Sequence, residues 1–283
     1  MSIYTIINIH RYIMFCHNTY FLNRGNNVIW NDRDWEQEDK TYAPKRRVDN
    51  KISWQMPHII GSFHSNKMNR VVEYHSMNEY LFYFILELDT SVIRYYVQPI
   101  NILVPFMDKQ GNKKTWSHVP DVLVFRNGFV PLLYQIKEKE AVTTATYEKC
   151  NVLCRKYAMD QGWHYSVTYP KVLPKVIQTN IKFLEGFIKK RKNADLWIPE
   201  LVRRINQLGK SSIVDLAYDF SLRIDPLFIL PIIYHLIATG VFSISLHERI
   251  TEYSEVTNIP FINQFSNILI EERVTNETST IES

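Results

Sequence analysis

Glycine and cysteine are scarce in this chain, at 8 and 3 of its 283 residues. With so few glycines, and 12 prolines spread along the length, there is no low-complexity linker and no internal repeat. Three cysteines, Cys16, Cys150 and Cys154, exclude a disulfide framework and fit a reducing compartment. Cys150 and Cys154 are four apart on an expected helix, but no His or Cys pair of matching spacing accompanies them, so a zinc site is not expected and inert thiols are. The first apolar stretch, "IYTIINIHRYIMF", is not expected to be a secretory leader, because it is broken by His10 and Arg11 and lacks a small-residue cleavage site. Met14 is an alternative start. Only "LFILPIIYHLIATGVFSISL" (227–246) is long enough for a bilayer. It holds Pro231, His235 and Gly240 without basic anchors, so it reads as a buried helix followed by a strand in a soluble protein.

What is present is a large apolar share, 46%, with 17 tyrosines and 15 phenylalanines. That is enough to bury a core in one or two domains. The net charge of +4 hides a division. Residues 1–194 hold 27 Lys and Arg against 17 Asp and Glu, whereas 195–283 hold 6 against 12. A basic front suits a phosphate backbone, and an acidic back suits a protein partner.

Residues 1–60 are polar and punctuated, and are expected to form an arm. From Ser76, "SMNEYLFYFILELD" offers an N-cap with Glu79 three residues on, then a nearly all-apolar helix. "VIRYYVQPINILVPF" supplies one or two strands, and "DKQGNK" (108–113) a turn. "HVPDVLVFRNGFVPLLYQIKEKE" (118–140) is a hairpin with strands near 121–126 and 130–138. A helix over 144–161 closed by Gly162, a strand at "HYSVTY" and a helix at "KVIQTNIKFLEGFIKKRK" follow. This order predicts an α/β domain with a mixed sheet flanked by helices, over 61–194. Over 195–265, three short helices and a small hairpin predict a winged-helix-like α domain. Their signals are Ser211 or Ser212, Asp225-Pro226, Gly209 and Gly240. An acidic tail, 266–283, ends the chain.

The hairpin carries the chemistry. Gln135 and Lys137 are two apart and share a strand face. Asp121 joins them only if the pairing puts it level with Gln135. A tight Asn127-Gly128 turn pairs positions summing to 255 and turns Asp121 away. A three-residue connection with Gly128 in a left-handed conformation shifts the sum to 256 and brings the three together. Without that shift, Asp121 is a strand-start residue and Gln135 and Lys137 are edge polar groups. Glu79 is either the capping-box partner of Ser76, a carboxylate offered to the hairpin, or both.

Together, the hairpin and "SMNEYLFYFILELD" resemble the TnsA endonuclease subunit of heteromeric cut-and-paste transposases, within the restriction-endonuclease-like PD-(D/E)xK superfamily. "SVIRYYVQP", "VDLAYDFSL" and "LIATGVFSIS" extend the resemblance over about residues 61–245. It implies a quartet of Glu79, Asp121, Gln135 and Lys137. Asp121 and Glu79 would be acidic ligands of Mg²⁺ (with Mn²⁺ able to substitute), Gln135 a neutral oxygen ligand, and the Ile136 carbonyl a further one. Lys137 would orient the attacking water and offset charge at phosphorus. Gln135 is therefore no departure from the family's pattern, whereas Glu138 and Glu140 add unexpected negative charge. The resemblance also implies cutting of the 5′, non-transferred strands at transposon ends. It implies double-stranded DNA, a TnsB-like transposase and a TnsC-like ATPase regulator as partners, and a bacterial cytoplasmic location, on the nucleoid when active.

A restriction or junction-resolving nuclease of the same fold would share the hairpin but not the acidic tail domain. A catalytically inactive adaptor would keep the fold without the quartet. A transcription factor using the winged helix is disfavoured by that domain's negative charge. His64, His75 and His118 lack the neighbours of a His-metal nuclease and are expected to be surface or interface residues.

Overall fold

The computed structural model describes residues 30, 33–46, 61–138, 144–170 and 173–259. Residues 1–29, Glu140 and the 266–283 tail lie outside them, as do the expectations made for them. The elements in order are α1 (Glu36–Thr41), β1 (Gly61–Ser65), β2 (Arg70–Tyr74), α2 (Met77–Leu88), β3 (Val92–Val97), β4 (Ile102–Met107), β5 (Lys113–His118), β6 (Val122–Arg126), β7 (Leu132–Ile136), α3 (Ala145–Asp160), β8 (His164–Thr168) and α4 (Lys175–Glu185). Then come α5 (Ala194–Leu208), β9 (Lys210–Ser212), α6 (Ile213–Tyr218), α7 (Pro226–Ala238), β10 (Ser243–Ile244) and β11 (Glu255–Thr257).

The central sheet runs β3-β6-β7-β8, antiparallel except for the parallel β7–β8 pair. It is the expected mixed sheet. Side chains at paired positions share a face, so Val97, Val122, Tyr134 and Ser166 look to one side of it. There α2 packs, with Phe82 on Tyr134 at 4.9 Å between ring centroids and Tyr83 on Tyr95 at 6.1 Å. The other face, with Leu123, Leu133 and Tyr165, meets α3, where Tyr165 donates its hydroxyl hydrogen to Asn151 Oδ1 at 2.8 Å. A mixed sheet with helices on both faces fits a restriction-endonuclease-like domain.

From Tyr80 to Leu88 every residue of α2 is buried. So apolar a helix needs cover on all sides, and β2, α4 and α7 supply what the sheet does not. Gly240 closes α7 against it: its φ is +74°, and an added Cβ would lie 2.6 Å from the Leu88 carbonyl oxygen. No other residue type fits that approach without displacing the helix end.

Residues 33–46 are not the extended arm expected. They form α1, followed by a turn, and dock on the α3 face of the sheet. Trp30 and Trp35 each meet Phe125 edge-on at 5.2 Å, and Tyr42 lies 5.3 Å from Tyr96. Asp39 accepts from Arg94 and from the Tyr96 hydroxyl. Aromatic residues scattered through a polar stretch give no periodicity, which is why the segment reads as irregular. The β1–β2 hairpin was also unforeseen, because its five-residue strands carry too few apolar positions to signal alternation.

The C-terminal part holds α5, α6, α7 and a three-stranded sheet, β10-β11-β9. Its helix ends follow their sequence signals. Ser212 accepts from the Asp215 N–H at 3.1 Å and Asp225 from the Leu227 N–H at 2.9 Å, while Gly209 takes φ +77°. The boundary at 194/195 falls in the first turn of α5 and marks no gap in packing. Buried Asn180 of α4 donates to the Leu246 and Glu248 carbonyls and accepts from the Ile250 N–H. One cluster of buried side chains joins both parts. Among the described residues no helix is long and apolar enough to cross a membrane, and 227–246 divides into α7 and β10.

Candidate active site

The pairing of β6 with β7 sets Val122 opposite Tyr134, Leu123 opposite Leu133 and Val124 opposite Leu132. Each pair sums to 256, the even register the site needs. Beyond Val124 the β7 side of the ladder opens, where Pro131 has no N–H to offer, while on the β3 side the pairing continues to Phe125 and Arg94. The connection turns at Gly128, whose φ is +80°, and the Phe129 N–H returns to the Arg126 carbonyl at 3.2 Å. The link is longer than the three-residue connection expected, but its parity is the same.

Asp121 lies one residue before β6, level with Gln135. Its Oδ2 accepts from the Gln135 side-chain amide and, at 2.5 Å, from the Ile136 N–H. Its backbone is tied on both sides, with N–H to the Tyr134 carbonyl at 3.0 Å and carbonyl to the Gln98 N–H at 2.8 Å. Gln98 follows β3 with φ +49°, a conformation rare outside glycine, which turns its N–H toward Asp121. Burial of the Asp121 carboxyl, and then the negative charge of Glu79, push its pKa up to about 7. The Ile136 N–H, Lys137 and Arg46 pull the other way. An acid so placed calls for a cation.

Glu79 is half-buried in the first turn of α2. Its backbone N–H donates to Ser76 Oγ at 3.2 Å, and its Oε2 accepts from the His75 N–H at 2.9 Å. This is a variant of the capping box, the carboxylate reaching the N–H of the residue before the Ser76 cap. Its charge also reaches Asp121 and, with burial first, drives the Tyr83 hydroxyl far above its ordinary pKa. Glu79 is therefore both a cap and a carboxylate facing the hairpin. Lys137 is half-buried, and its Nζ lies 5.5 Å from the Tyr147 ring centroid on α3. Glu138 is exposed.

Gln135 is 5% exposed, and while its amide N–H2 serves Asp121, its Oε1 is buried without a hydrogen-bond partner. An orphaned buried carbonyl costs free energy unless something coordinates it. The same holds for His118 at the end of β5, whose Nε2 is buried and unpartnered. Burial, then the charge of Lys137, lower the His118 pKa, and the Gln135 amide approaches the ring without a hydrogen bond of normal geometry. His118 is thus at the site and not the surface histidine expected. His75 is there too, its Nε2 3.4 Å from Gln98 Nε2. Nothing in the sequence marked Tyr83 or Arg46, and Gln98 stood out only as part of the Gln-Pro pair that ends "SVIRYYVQP". Only the Pro-Asp pair two residues on hinted at His118. Among the described residues no three His, Cys, Asp or Glu side chains group to hold a metal, and the oxygens at hand for a cation are those of Asp121, Glu79, Gln135 and the main chain. Cys150 and Cys154 are buried on α3 with free thiols.

A mixed sheet flanked by helices, with Asp121 on the strand before Gln135 and Lys137 and a helix-borne Glu79 beside them, has the layout of the restriction-endonuclease-like class. Residues 89–169 match the family described as TnsA-like endonuclease N terminal, so this part of the chain is similar to that nuclease domain. The match includes Asp121, Gln135, Ile136 and Lys137, and begins after Glu79. No curated protein matches the chain.

Proposed function

We propose that the chain is the Mg²⁺-dependent endonuclease subunit of a transposase, cutting the 5′, non-transferred strands at transposon ends during cut-and-paste transposition. The observation that carries this reading is the buried Asp121–Gln135 pair with an unpartnered Gln135 oxygen, within a TnsA-like endonuclease domain. The donor set suits a hard cation: Asp121, Gln135 Oε1 and the Ile136 carbonyl, with Glu79 beside them, are all oxygens. Bound there, Mg²⁺ or Mn²⁺ would polarise a phosphoryl oxygen and lower the pKa of a water. The chain's own residues do the rest. Asp121 is fixed by its backbone bonds to Gln98 and Tyr134, so the metal's anchor is preorganised. Lys137 offsets negative charge as phosphorus becomes pentavalent and holds the attacking water.

Double-stranded DNA at transposon ends and a TnsB-like transposase are the partners this activity requires. The C-terminal part serves as the winged-helix-like module that meets a TnsC-like ATPase. Its acidic balance disfavours DNA, and a cleft of about 430 Å³ between α6 and α7 is lined by Tyr218, Leu227, Tyr234 and two acids, Asp225 and Glu252. Work in the bacterial cytoplasm, on the nucleoid when active, follows from those partners. The test is nicking of end-bearing DNA with Mg²⁺ or Mn²⁺ and the partner transposase supplied. Metal-dependent nicking lost in Asp121→Ala supports the reading, and a wild-type chain that never nicks would leave an inactive adaptor.

A further inference from the structure

The β4–β5 pair forms a two-stranded sheet of its own, apart from the central one. Its base is anchored, with Ile102 and Val104 buried, but every residue from Pro105 to Ser117 except Asp108 is exposed. A bare two-stranded ribbon is marginal in water, yet this one presents Phe106, Met107 and Trp116 to solvent at 38%, 67% and 37% exposure. Its tip is firmly made. Asp108 Oδ1 accepts from the Gln110 and Asn112 N–H groups at 2.9 Å each, and Lys114 pairs with Asp108 at 2.9 Å. Lys114, then the Asn112 N–H, hold the Asp108 carboxyl down to about 2. Asp108 is the ribbon's one acid, and it is used in folding the turn. Lys109 and Lys113 stand at the same tip, exposed.

The register decides where this surface leads. Ile102 pairs with His118, Val104 with Trp116 and Phe106 with Lys114, so His118, Trp116 and Lys114 lie along one face. The His118 and Trp116 rings meet edge-on at 5.9 Å. One stripe thus runs from the candidate active site outward along the ribbon to Lys114, while Lys113, paired with Met107, stands on the other face beside the turn.

We propose that the outer half of the β4–β5 ribbon is a DNA-binding arm that follows a groove of the duplex beside the scissile phosphate. Lys109 and Lys113 meet backbone phosphates, and Phe106 and Trp116 lie against sugar edges. A two-stranded ribbon fits the major groove. A duplex with a phosphate at Asp121 has to pass the stripe that starts at His118. A protein surface would suit the apolar side chains but not a tip whose only uncommitted charges are positive. The proposal rests on the nuclease reading above, which gives no role to this ribbon.

The test is duplex binding by the full chain, followed by fluorescence anisotropy across a salt series, for wild type, Lys109→Glu/Lys113→Glu and Phe106→Ala. The double variant is expected to bind about tenfold more weakly and to lose about two from the slope of log affinity against log salt. Phe106→Ala weakens binding with the slope unchanged. Matching melting curves exclude misfolding. Affinity and slope equal to wild type in both variants overturn the arm, as does a loss confined to binding of the partner transposase. If the wild type cuts DNA and these variants bind normally, only the arm fails. If binding depends on the ribbon but no metal or partner elicits cutting, only the nuclease reading fails.

Discussion

Gln135 turns its amide N–H2 onto the Asp121 carboxylate and leaves its own carbonyl oxygen buried without a partner. The pair exists because the β6–β7 register sums to 256. One residue fewer in the connection would put Asp121 on the opposite face. An amide at this position therefore sets a neutral oxygen beside an acid, which keeps a third full charge away from Asp121 and Glu79.

Glu79 has two roles that one substitution separates. Glutamine serves a capping box as well as glutamate does, so Glu79→Gln is expected to melt within about 1 °C of wild type, the change being only a few tenths of a kcal/mol. Metal-dependent cutting should fall at least about tenfold, because an acidic group is gone from the cation's surroundings. Thermal melts and cutting rates on the same preparation check this. Full activity with normal stability would make Glu79 a cap alone.

The raised Asp121 pKa makes stability depend on pH. Without metal, the folded state holds a proton up to about 7, whereas the unfolded carboxyl releases it near pH 4. Between those values the unfolded state binds fewer protons, so this group's contribution falls as pH rises, then levels off above the folded pKa. In chelator, Asp121→Asn should therefore gain stability relative to wild type as pH goes from about 4 to about 7. Excess Mn²⁺ should reverse the order at pH 8. Melting temperatures across pH, with chelator and with Mn²⁺, test both signs. A difference flat with pH would mean that Asp121 is not desolvated.

Two glycines with similar backbone angles should respond differently to substitution. Gly128→Ala places its Cβ in open space at φ +80°, so only backbone strain of about 1–2 kcal/mol is expected. Gly240→Ala adds a contact at 2.6 Å with the Leu88 carbonyl, and should cost upwards of about 3 kcal/mol. Urea unfolding of both variants gives the comparison. Equal losses would mean that α7 is not packed against the end of α2 as described.

Several features were legible before the structure. The Ser76 cap with Glu79, the Gly162 stop, Asp225-Pro226 and the even parity that the site required of the hairpin each rest on local chemistry between near neighbours in sequence. What was not legible depends on distant contacts. Trp30, Trp35 and Tyr42 find Phe125 and Tyr96 only once the sheet exists. Gln98 takes its left-handed conformation to serve a carbonyl 23 positions away. His118 reaches the site because a separate ribbon ends there. The 194/195 boundary was read from a change in element order and in charge, both local signals, while the core passes through it by way of Asn180.

The most direct test maps the cut itself. A duplex with one transposon end, labelled on each strand in turn, is incubated with Mg²⁺ and the partner transposase, and with either wild-type chain or Asp121→Ala. The account predicts a nick in the 5′, non-transferred strand with wild type and none with Asp121→Ala, while the 3′ strand is still cut by the partner. A 5′-strand nick of equal yield with Asp121→Ala would contradict it.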